Sequence, residues 1–341
     1  TLVVLEDVPA GSVPTRAVGA GEAIKIMTGA PLPAGADSVV RVEDTEPGTG
    51  SVTIVAGAPV GTSIRRAGGD IASGSTVVRA GTRLGANHLG VLASVGAATP
   101  LVYRRPVVAV LSTGDELVPY DTPDLRPGQI RGTNGLVLVS VLEQLGATVL
   151  DLGIVGDNAD DLRAALARGA DEADAIVSSG GVSMGEYDLV KAVLTELGGI
   201  EFWQVAMQPG KPFAFGMIDG TPLFGLPGNP VSVFVAFEQF VRPALLHMMG
   251  CSRPFRPRIT GVIDEDVHTN PEKTGFVRVA VAWEGAVPHA RTSGGQDSNV
   301  LAALASADAL GVIPVGTGDV SAGSEISLEL VRHPEDRGLS E

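Results

Sequence analysis

The chain is poor in cysteine, histidine, aromatic side chains and positive charge. Its one cysteine, Cys251, excludes an internal disulfide and any multi-cysteine zinc or iron–sulfur site, and it suits a reducing, cytoplasmic setting. The five histidines, His88, His247, His268, His289 and His333, are scattered with no two at metal-ligand spacing, so no histidine metal site is expected. Aromatics make up 4% of the residues, which leaves the core to Val, Leu, Ile and Ala. Lys and Arg total 24 against 39 Asp and Glu, a formal net charge of −15. That balance excludes wholesale nucleic-acid binding and adsorption to an anionic membrane, so an anionic ligand has to be caught by a local cluster. No apolar stretch reaches membrane-spanning length without a charge or a proline, and the first residues lack the basic-then-apolar pattern of a leader. The opening Thr1-Leu2-Val3-Val4 already reads as a strand, and we expect a truncated N-terminus. Walker and G-x-G-x-x-G signatures are missing as well.

What remains is a folded composition, 44% hydrophobic and 18% charged over 341 residues, enough for two or three domains. Residues 1–76 are Gly- and Pro-rich with short β-branched runs such as Ser51-Val52-Thr53-Ile54-Val55, which predicts a β-rich domain. Residues 77–105 read as a linker with one short helix between Arg83 and Val95. At Val107 the rhythm changes. Val107-Val108-Ala109-Val110-Leu111 suits a strand buried on both faces, and strands then alternate with helical periodicity until a long helix from Pro230 to about Met249. Residues 106–250 are therefore expected to form a doubly wound α/β domain, and residues 251–341, where strands return, a small β-barrel or sandwich.

Ligands of open parallel sheets sit outside the carboxyl ends of the strands, so the polar residues after the apolar runs are the candidates. The first group is Ser112-Thr113-Gly114-Asp115-Glu116, and the second runs from Ser178-Ser179-Gly180-Gly181-Val182-Ser183 to Glu186 and Asp188. Small hydroxyls and bared amides in the second could cradle phosphate, although an ordinary glycine turn explains it equally well. Asp115, Glu116, Glu186 and Asp188 are hard-oxygen ligands of the kind Mg²⁺ uses beside a phosphate, or else caps of helix N-termini. The third group carries P-G-x-P twice, Pro209-Gly210-Lys211-Pro212 and Pro227-Gly228-Asn229-Pro230. The first presents Lys211 from a rigid turn, and the second starts a helix with proline at its first position, so the two could build an oxyanion site. In the first domain, Ile64-Arg65-Arg66-Ala67-Gly68-Gly69-Asp70 could hold phosphate, but its arginines read more simply as solvated surface.

Together these stretches resemble the molybdopterin molybdenumtransferases, a family that includes the C-terminal domain of the scaffold protein gephyrin. The resemblance rests on Ile26-Met27-Thr28-Gly29-Ala30-Pro31, Arg65-Arg66-x-Gly-x-Asp70-Ile71, Ser112-Thr113-Gly114-Asp115-Glu116-Leu117, Ser178-Ser179-Gly180-Gly181-Val182-Ser183-x-Gly185-Glu186 and the P-G-K-P and L-P-G-N-P-V-S segments. Their order and spacing span essentially the whole chain. The resemblance implies a three-layer α/β molybdopterin-binding domain flanked by a β-rich N-terminal domain and a C-terminal β-barrel, assembled as a homodimer. It implies hydrolysis of adenylylated molybdopterin, with AMP released and molybdenum from molybdate left on the pterin dithiolene, aided by Mg²⁺ at Glu116 and Asp188.

Carried over residue by residue, Lys211, Pro212, Ser232, Arg278 and Ser298 match the molybdate pocket. Ser183, Asp157 and Asp188 match positions around the pterin and its nucleotide, beside the strand-end candidates Thr113, Gly114, Asp115, Ser179, Gly180, Gly181, Pro227, Gly228 and Asn229. Thr28, Arg65 and Asp70 are implied to reach a partner subunit's site, which reverses the solvated reading of the arginine turn. Glu116, Asp188, Asp70 and Lys211 are then the catalytic candidates. The family's N-terminal arm and S-A-M-D-G-Y-A motif do not occur in this sequence, and Gln204 and Gln208 stand where many members carry lysine. A hand-over from a molybdopterin adenylyltransferase is also implied. The competing readings are a non-catalytic scaffold of the gephyrin type and a different nucleotide hydrolase on the same α/β domain.

Overall fold

A computed structural model describes residues 1–181, 189–197 and 199–332, with the backbone alone described at 189–191. The chain divides into two compact units, Thr1–Arg79 with Asn87–Val95, and Ala80–Ala86 with Gly96–Glu341. In the first unit, Leu2–Val8 (β1), Glu22–Ile26 (β2), Thr45–Gly48 (β3) and Ser51–Ile54 (β4) form a sheet in the order β2-β1-β4-β3. Helix Ala86–Ser94 (α1) follows. The expected β-rich character is present, with short strands closed by glycine turns.

The second unit begins with Val107–Thr113 (β5), whose continuous apolar run is buried as expected. A small ribbon of Leu117–Val118 (β6) and Ile130–Arg131 (β7) precedes helix Asn134–Leu145 (α2). Then come Thr148–Val155 (β8), helix Ala159–Glu172 (α3), Ala175–Ser179 (β9), helix Leu189–Leu197 (α4), Ile200–Gln204 (β10), Met207–Gln208 (β11), Pro212–Ile218 (β12) and Thr221–Leu226 (β13). Helix α3 starts where it does because Asn158 Oδ1 accepts the amides of Asp160 (2.9 Å) and Asp161 (3.2 Å), with both acids in the positive first turn. The six-stranded sheet has the order β10-β12-β13-β9-β5-β8, in which β13, β9, β5 and β8 are mutually parallel, β12 runs against them, and β10, antiparallel to β12, runs with them. One face packs Val108, Val110 and Val177 against Leu138 and Leu142 of α2, and the other packs Ala109, Leu111 and Ile176 against Leu162 and Leu166 of α3. This is the three-layer α/β arrangement that the alternating pattern predicts.

The long helix expected from Pro230 is interrupted. Pro230–Ala236 (α5) runs into a π turn at Phe237–Val241 before Arg242–Met248 (α6) resumes regular winding. Wide turns of this kind re-aim side chains. Here Glu238 and Gln239, both inside the turn, reach the chain that follows. Glu238, with its side chain 3% exposed, accepts from Arg256 at 2.6 and 2.9 Å, and Gln239 Nε2 donates to Glu329 at 2.8 Å. Glu329, also buried, pairs with Arg258 at 2.7 Å.

Those partners belong to the C-terminal barrel. Arg258–Ile263 (β14), Thr274–Glu284 (β15), Val287–Thr292 (β16), Ala309–Ile313 (β17) and Glu325–Leu330 (β18), with helix Leu301–Ala305 (α7) before β17, close in the order β15-β16-β14-β18-β17 through a β15–β17 pairing. Val277, Val279 and Val281 alternate into its core with Ile263, Ala290 and Leu328. The opposite parity of β15 carries Phe276, which packs with Leu310 against Val231 and Val235 of α5. Arg278 shares that outward parity.

Arg256→Ala removes the short bidentate partner of a buried carboxylate and is expected to cost about 3 kcal/mol in denaturant unfolding, whereas loss of the exposed Arg168–Glu172 pair costs under about 1 kcal/mol. Equal effects of Arg256→Ala and Arg168→Ala would show that the network contributes nothing special.

Candidate active site

The parallel strands β5, β8, β9 and β13 bring their carboxyl ends to one sheet edge, and β12, antiparallel to β13, begins there. Three strand-end groups singled out from the sequence therefore share a location. Ser112 and Ser179 meet with their hydroxyls 3.2 Å apart, which joins the ends of β5 and β9. The Gly180 amide donates to Leu226 O at 3.1 Å, joining β9 to β13. Gly180 has φ +92°, and a Cβ there would sit 2.7 Å from Thr113 O, so both backbone angle and space require glycine. Gly181 follows, part buried, and beyond it Ser183, Glu186 and Asp188 lie outside the described residues.

The carboxylates divide by role. Asp115 Oδ1 accepts the Asp157 amide at 2.8 Å, so Asp115 spends its side chain tying the loop after β5 to the loop after β8. Glu116 is exposed and has no ion-pair partner among the described residues. A Cβ on Gly114 would lie 2.5 Å from Glu116 Oε2, so glycine leaves the space over which this carboxylate folds. One or two such carboxylates, completed by water and phosphate oxygen, would suit Mg²⁺, and of the two carboxylates expected to hold it Glu116 lies among the described residues.

The two P-G-x-P turns adjoin each other. A Cβ on Gly210 would lie 3.6 Å from Ser232 O, which places the Lys211 turn against the first turn of α5. Lys211 is exposed, Pro212 half-buried, and Ser232 buried, while Gln204 and Gln208 are both exposed. Pro227 is buried, and the Gly228 carbonyl accepts Asn134 Nδ2 at 2.7 Å. Asn229 stands at the cap position of α5 but makes no side-chain cap; its Nδ2 donates to Ser298 Oγ at 2.7 Å, and the Val231 amide donates to Ser298 O at 3.1 Å. The helix start expected to attract an anion thus gives one of its amides to Ser298.

Arg278 completes the constellation from the barrel side. Its side chain is 1% exposed, yet no carboxylate lies within ion-pair distance among the described residues. Nη2 donates to Gly295 O at 3.1 Å and Asp297 O at 3.2 Å, Nη1 reaches Phe276 O at 3.4 Å, and Nε is buried without a partner. Burial pushes the guanidinium below its usual pKa, and the nearby Asp297 charge opposes that shift. Asp297 adjoins Ser298, so Arg278, Ser298, Asn229 and Ser232 follow one another through contacts.

Thr28, Arg65 and Asp70 are exposed in the first unit, where the Gly69 amide closes the arginine turn on Arg66 O at 3.0 Å. Sequence reasoning missed Asn134 and Gln296. The first had a signal, since Thr133-Asn134 precedes an apolar helical run and reads as a helix start; the second lies in the turn Ser293-Gly294-Gly295-Gln296-Asp297-Ser298, whose glycines mark a tight loop without saying what it grips.

Gly180→Ala is expected to lower stability by about 2 kcal/mol or more, from the positive φ and the clash with Thr113. Gly228→Ala, where a Cβ meets nothing within 4 Å, is expected to unfold like the parent in the same urea titration.

Family models match almost end to end. A MoeA N-terminal region (domain I and II) covers residues 2–96, a probable molybdopterin binding domain residues 109–247, and a MoeA C-terminal region (domain IV) residues 260–331. The chain is 39% identical over 333 residues to molybdopterin molybdenumtransferase 2 of Mycobacterium tuberculosis, an alignment covering 96% of this chain and 82% of the relative. It is 36% identical over 315 residues to the molybdopterin molybdenumtransferase of Haemophilus influenzae, covering 91% and 78%. The crystal structure of a molybdopterin biosynthesis MoeA protein from Pyrococcus horikosii matches with a TM-score of 0.81 at 33% identity, covering 97% of this chain and 81% of that one. With all three regions matched in order and the strand-end constellation in place, the chain belongs to the molybdopterin molybdenumtransferase family.

Proposed function

We propose that this chain inserts molybdenum from molybdate into adenylylated molybdopterin, with Mg²⁺-assisted release of AMP, as its part in molybdenum cofactor biosynthesis. The observation that carries the reading is the buried guanidinium of Arg278. A cation taken out of water with no ion-pair partner among the described residues is costly, and an anionic ligand would offset that cost. Ser298 and Asn229 lie along the same chain of contacts, and the Lys211 turn packs against Ser232. These donors suit a small tetrahedral dianion, which a protein of net charge −15 could hold only through such a local cluster. A non-catalytic scaffold would be expected to have lost this pocket, and the side chains that would form it are retained.

In this reading Lys211, Pro212, Ser232, Arg278 and Ser298 receive molybdate. Thr113, Gly114, Asp115, Asp157, Ser179, Gly180, Gly181, Ser183, Pro227, Gly228 and Asn229 receive the pterin and its nucleotide along the sheet edge. Mg²⁺, held by Glu116 with Asp188, would neutralise charge on the phosphate oxygens when bound. Lys211 and the loop donors orient molybdate toward the dithiolene as AMP departs. The exposed Thr28, Arg65 and Asp70 are assigned to the pterin site of the other subunit in a homodimer, with Asp70 in a catalytic role. The same proposal takes 1–76, 77–105, 106–250 and 251–341 as the working parts of the chain. It places the protein in the cytoplasm, receiving substrate from a molybdopterin adenylyltransferase; among the described residues no helix is long and apolar enough to cross a membrane.

The test is AMP release from adenylylated molybdopterin, with and without molybdate, by the protein and by its Lys211→Ala variant. Release that requires molybdate and falls about 10²-fold in the variant is expected, the usual scale for losing one charge-stabilising donor. Release independent of molybdate, or unchanged by the substitution, would overturn the assignment.

A further inference from the structure

The backbone around Arg278 is unusual in how its strand ends. Strand β16 pairs with β15 from Glu284↔Val287 to Val279↔Thr292, and the Ser293 amide adds a last rung to Arg278 O at 3.0 Å. At Gly294, with φ +138°, the chain turns away. The Arg278 amide faces the side that β16 has left, and an unpaired amide at a buried position is costly. A side chain takes the strand's place. Gln296 Oε1 accepts the Arg278 N–H at 2.9 Å, and Gln296 Nε2 donates to Arg278 O at 3.1 Å and to Gly294 O at 2.9 Å.

The contact is reciprocal. While the Gln296 side chain holds the Arg278 backbone, the carbonyls on either side of it, Gly295 O and Asp297 O, hold the Arg278 guanidinium. The next residue, Ser298, then takes hydrogen bonds from Asn229 and Val231. One carboxamide therefore sets both where the buried cation points and where the Ser298 hydroxyl stands.

We propose that Gln296 is the positioning residue of the anion pocket, fixing Arg278 and Ser298 for a tetrahedral dianion without touching it. The inference rests on the reading of Arg278 as a molybdate ligand. Gln296→Met keeps the length of the side chain and removes its three hydrogen bonds. Gln296→Glu keeps the acceptor for the Arg278 amide, removes both donations, and sets a negative charge beside the guanidinium. A loop filler would lower stability or the active fraction; a positioning residue changes molybdate affinity in folded protein.

The experiment combines calorimetric titration of molybdate with the molybdate KM and the kcat of AMP release, for the protein, Gln296→Met, Gln296→Glu, Arg278→Met and the Gln296→Met/Arg278→Met double variant. We expect Gln296→Met to weaken molybdate binding about tenfold with kcat changed far less, the scale of losing one to two net hydrogen bonds. Gln296→Glu should weaken it further, and Gln296→Met should have a clearly smaller effect once Arg278 is gone, the remainder being the part that acts through Ser298. If Arg278→Met leaves molybdate affinity intact, the pocket itself is misassigned. If Arg278→Met weakens binding while folded Gln296→Met and Gln296→Glu do not, the role of Gln296 alone is refuted. Equal effects of Gln296→Met with and without Arg278 would make it a structural residue and refute the proposal as well. Should Gln296→Met fail to fold, Gln296→Glu with its own Arg278→Met double variant decides the question.

Discussion

A positive charge held in the protein interior by carbonyl dipoles, with no carboxylate within ion-pair distance among the described residues, is the constraint around which this site is arranged. Desolvating a guanidinium costs several kcal/mol, and neutral carbonyls recover only part of that. A carboxylate partner would recover more but would also cancel the charge toward an incoming anion. Arg278 instead relies on Gly295 O, Asp297 O and Phe276 O, which stabilise the cation while leaving its charge uncommitted. For that the fold must supply a strand of the right parity, a loop whose carbonyls turn inward, and cover from solvent. The Val277–Val281 alternation of β15, the 294–298 loop, and the packing of Phe276 and Leu310 on α5 provide these.

The second requirement is convergence. Lys211, Ser232 and Asn229 come from the α/β layers, whereas Arg278 and Ser298 come from the barrel, so the relative placement of the two matters more than the rigidity of either. The contacts that set it are specific. Met207 pairs with Thr274 and Gln208 with Gly275, which adds a short strand of the α/β part to the barrel sheet. The π turn aims Glu238 at Arg256 and Gln239 at Glu329. Buried ion pairs are weak sources of net stability, and their attested use is in fixing one arrangement against others. Here they fix the helix that begins at Pro230 against the barrel that carries Arg278.

Much of this was legible in the sequence, and the limits have physical reasons. Continuous apolar runs such as Val107–Leu111 mark strands buried on both faces, and the topology of parallel sheets then says where ligands go, so the strand-end groups could be named before any coordinates. The resemblance supplied Arg278 and Ser298, which composition and spacing did not, because a lone arginine in an alternating strand looks like an ordinary outward-facing residue. A carboxylate after a strand, such as Asp115, suits either a metal or a cap, and the structure adds that one of its oxygens accepts the Asp157 amide. The long helix was legible, but not the π turn inside it, which alters hydrogen bonding by one residue without disturbing apolar periodicity enough to register. Ser183 and Asp188 lie outside the described residues, so their assignments stay with the proposal.

Gln296 illustrates why polar residues in glycine-rich loops are hard to read. Its neighbours Gly294 and Gly295 signal a turn, and the turn alone would explain a polar side chain at its tip. Yet an amide side chain has the same donor and acceptor pair as a peptide group, and at the place where a strand leaves a sheet it can satisfy the backbone that the strand abandons. That substitution lets β16 end at Thr292, so that the carbonyls of Gly295 and Asp297 rather than another strand face the guanidinium. A continued strand would satisfy the Arg278 amide just as well, but its own carbonyls would be spent on the ladder and Ser298 would be carried away from Asn229. The surroundings of Arg278 therefore depend on the ladder stopping there, and one carboxamide supplies the hydrogen bonds that a continued strand would have made.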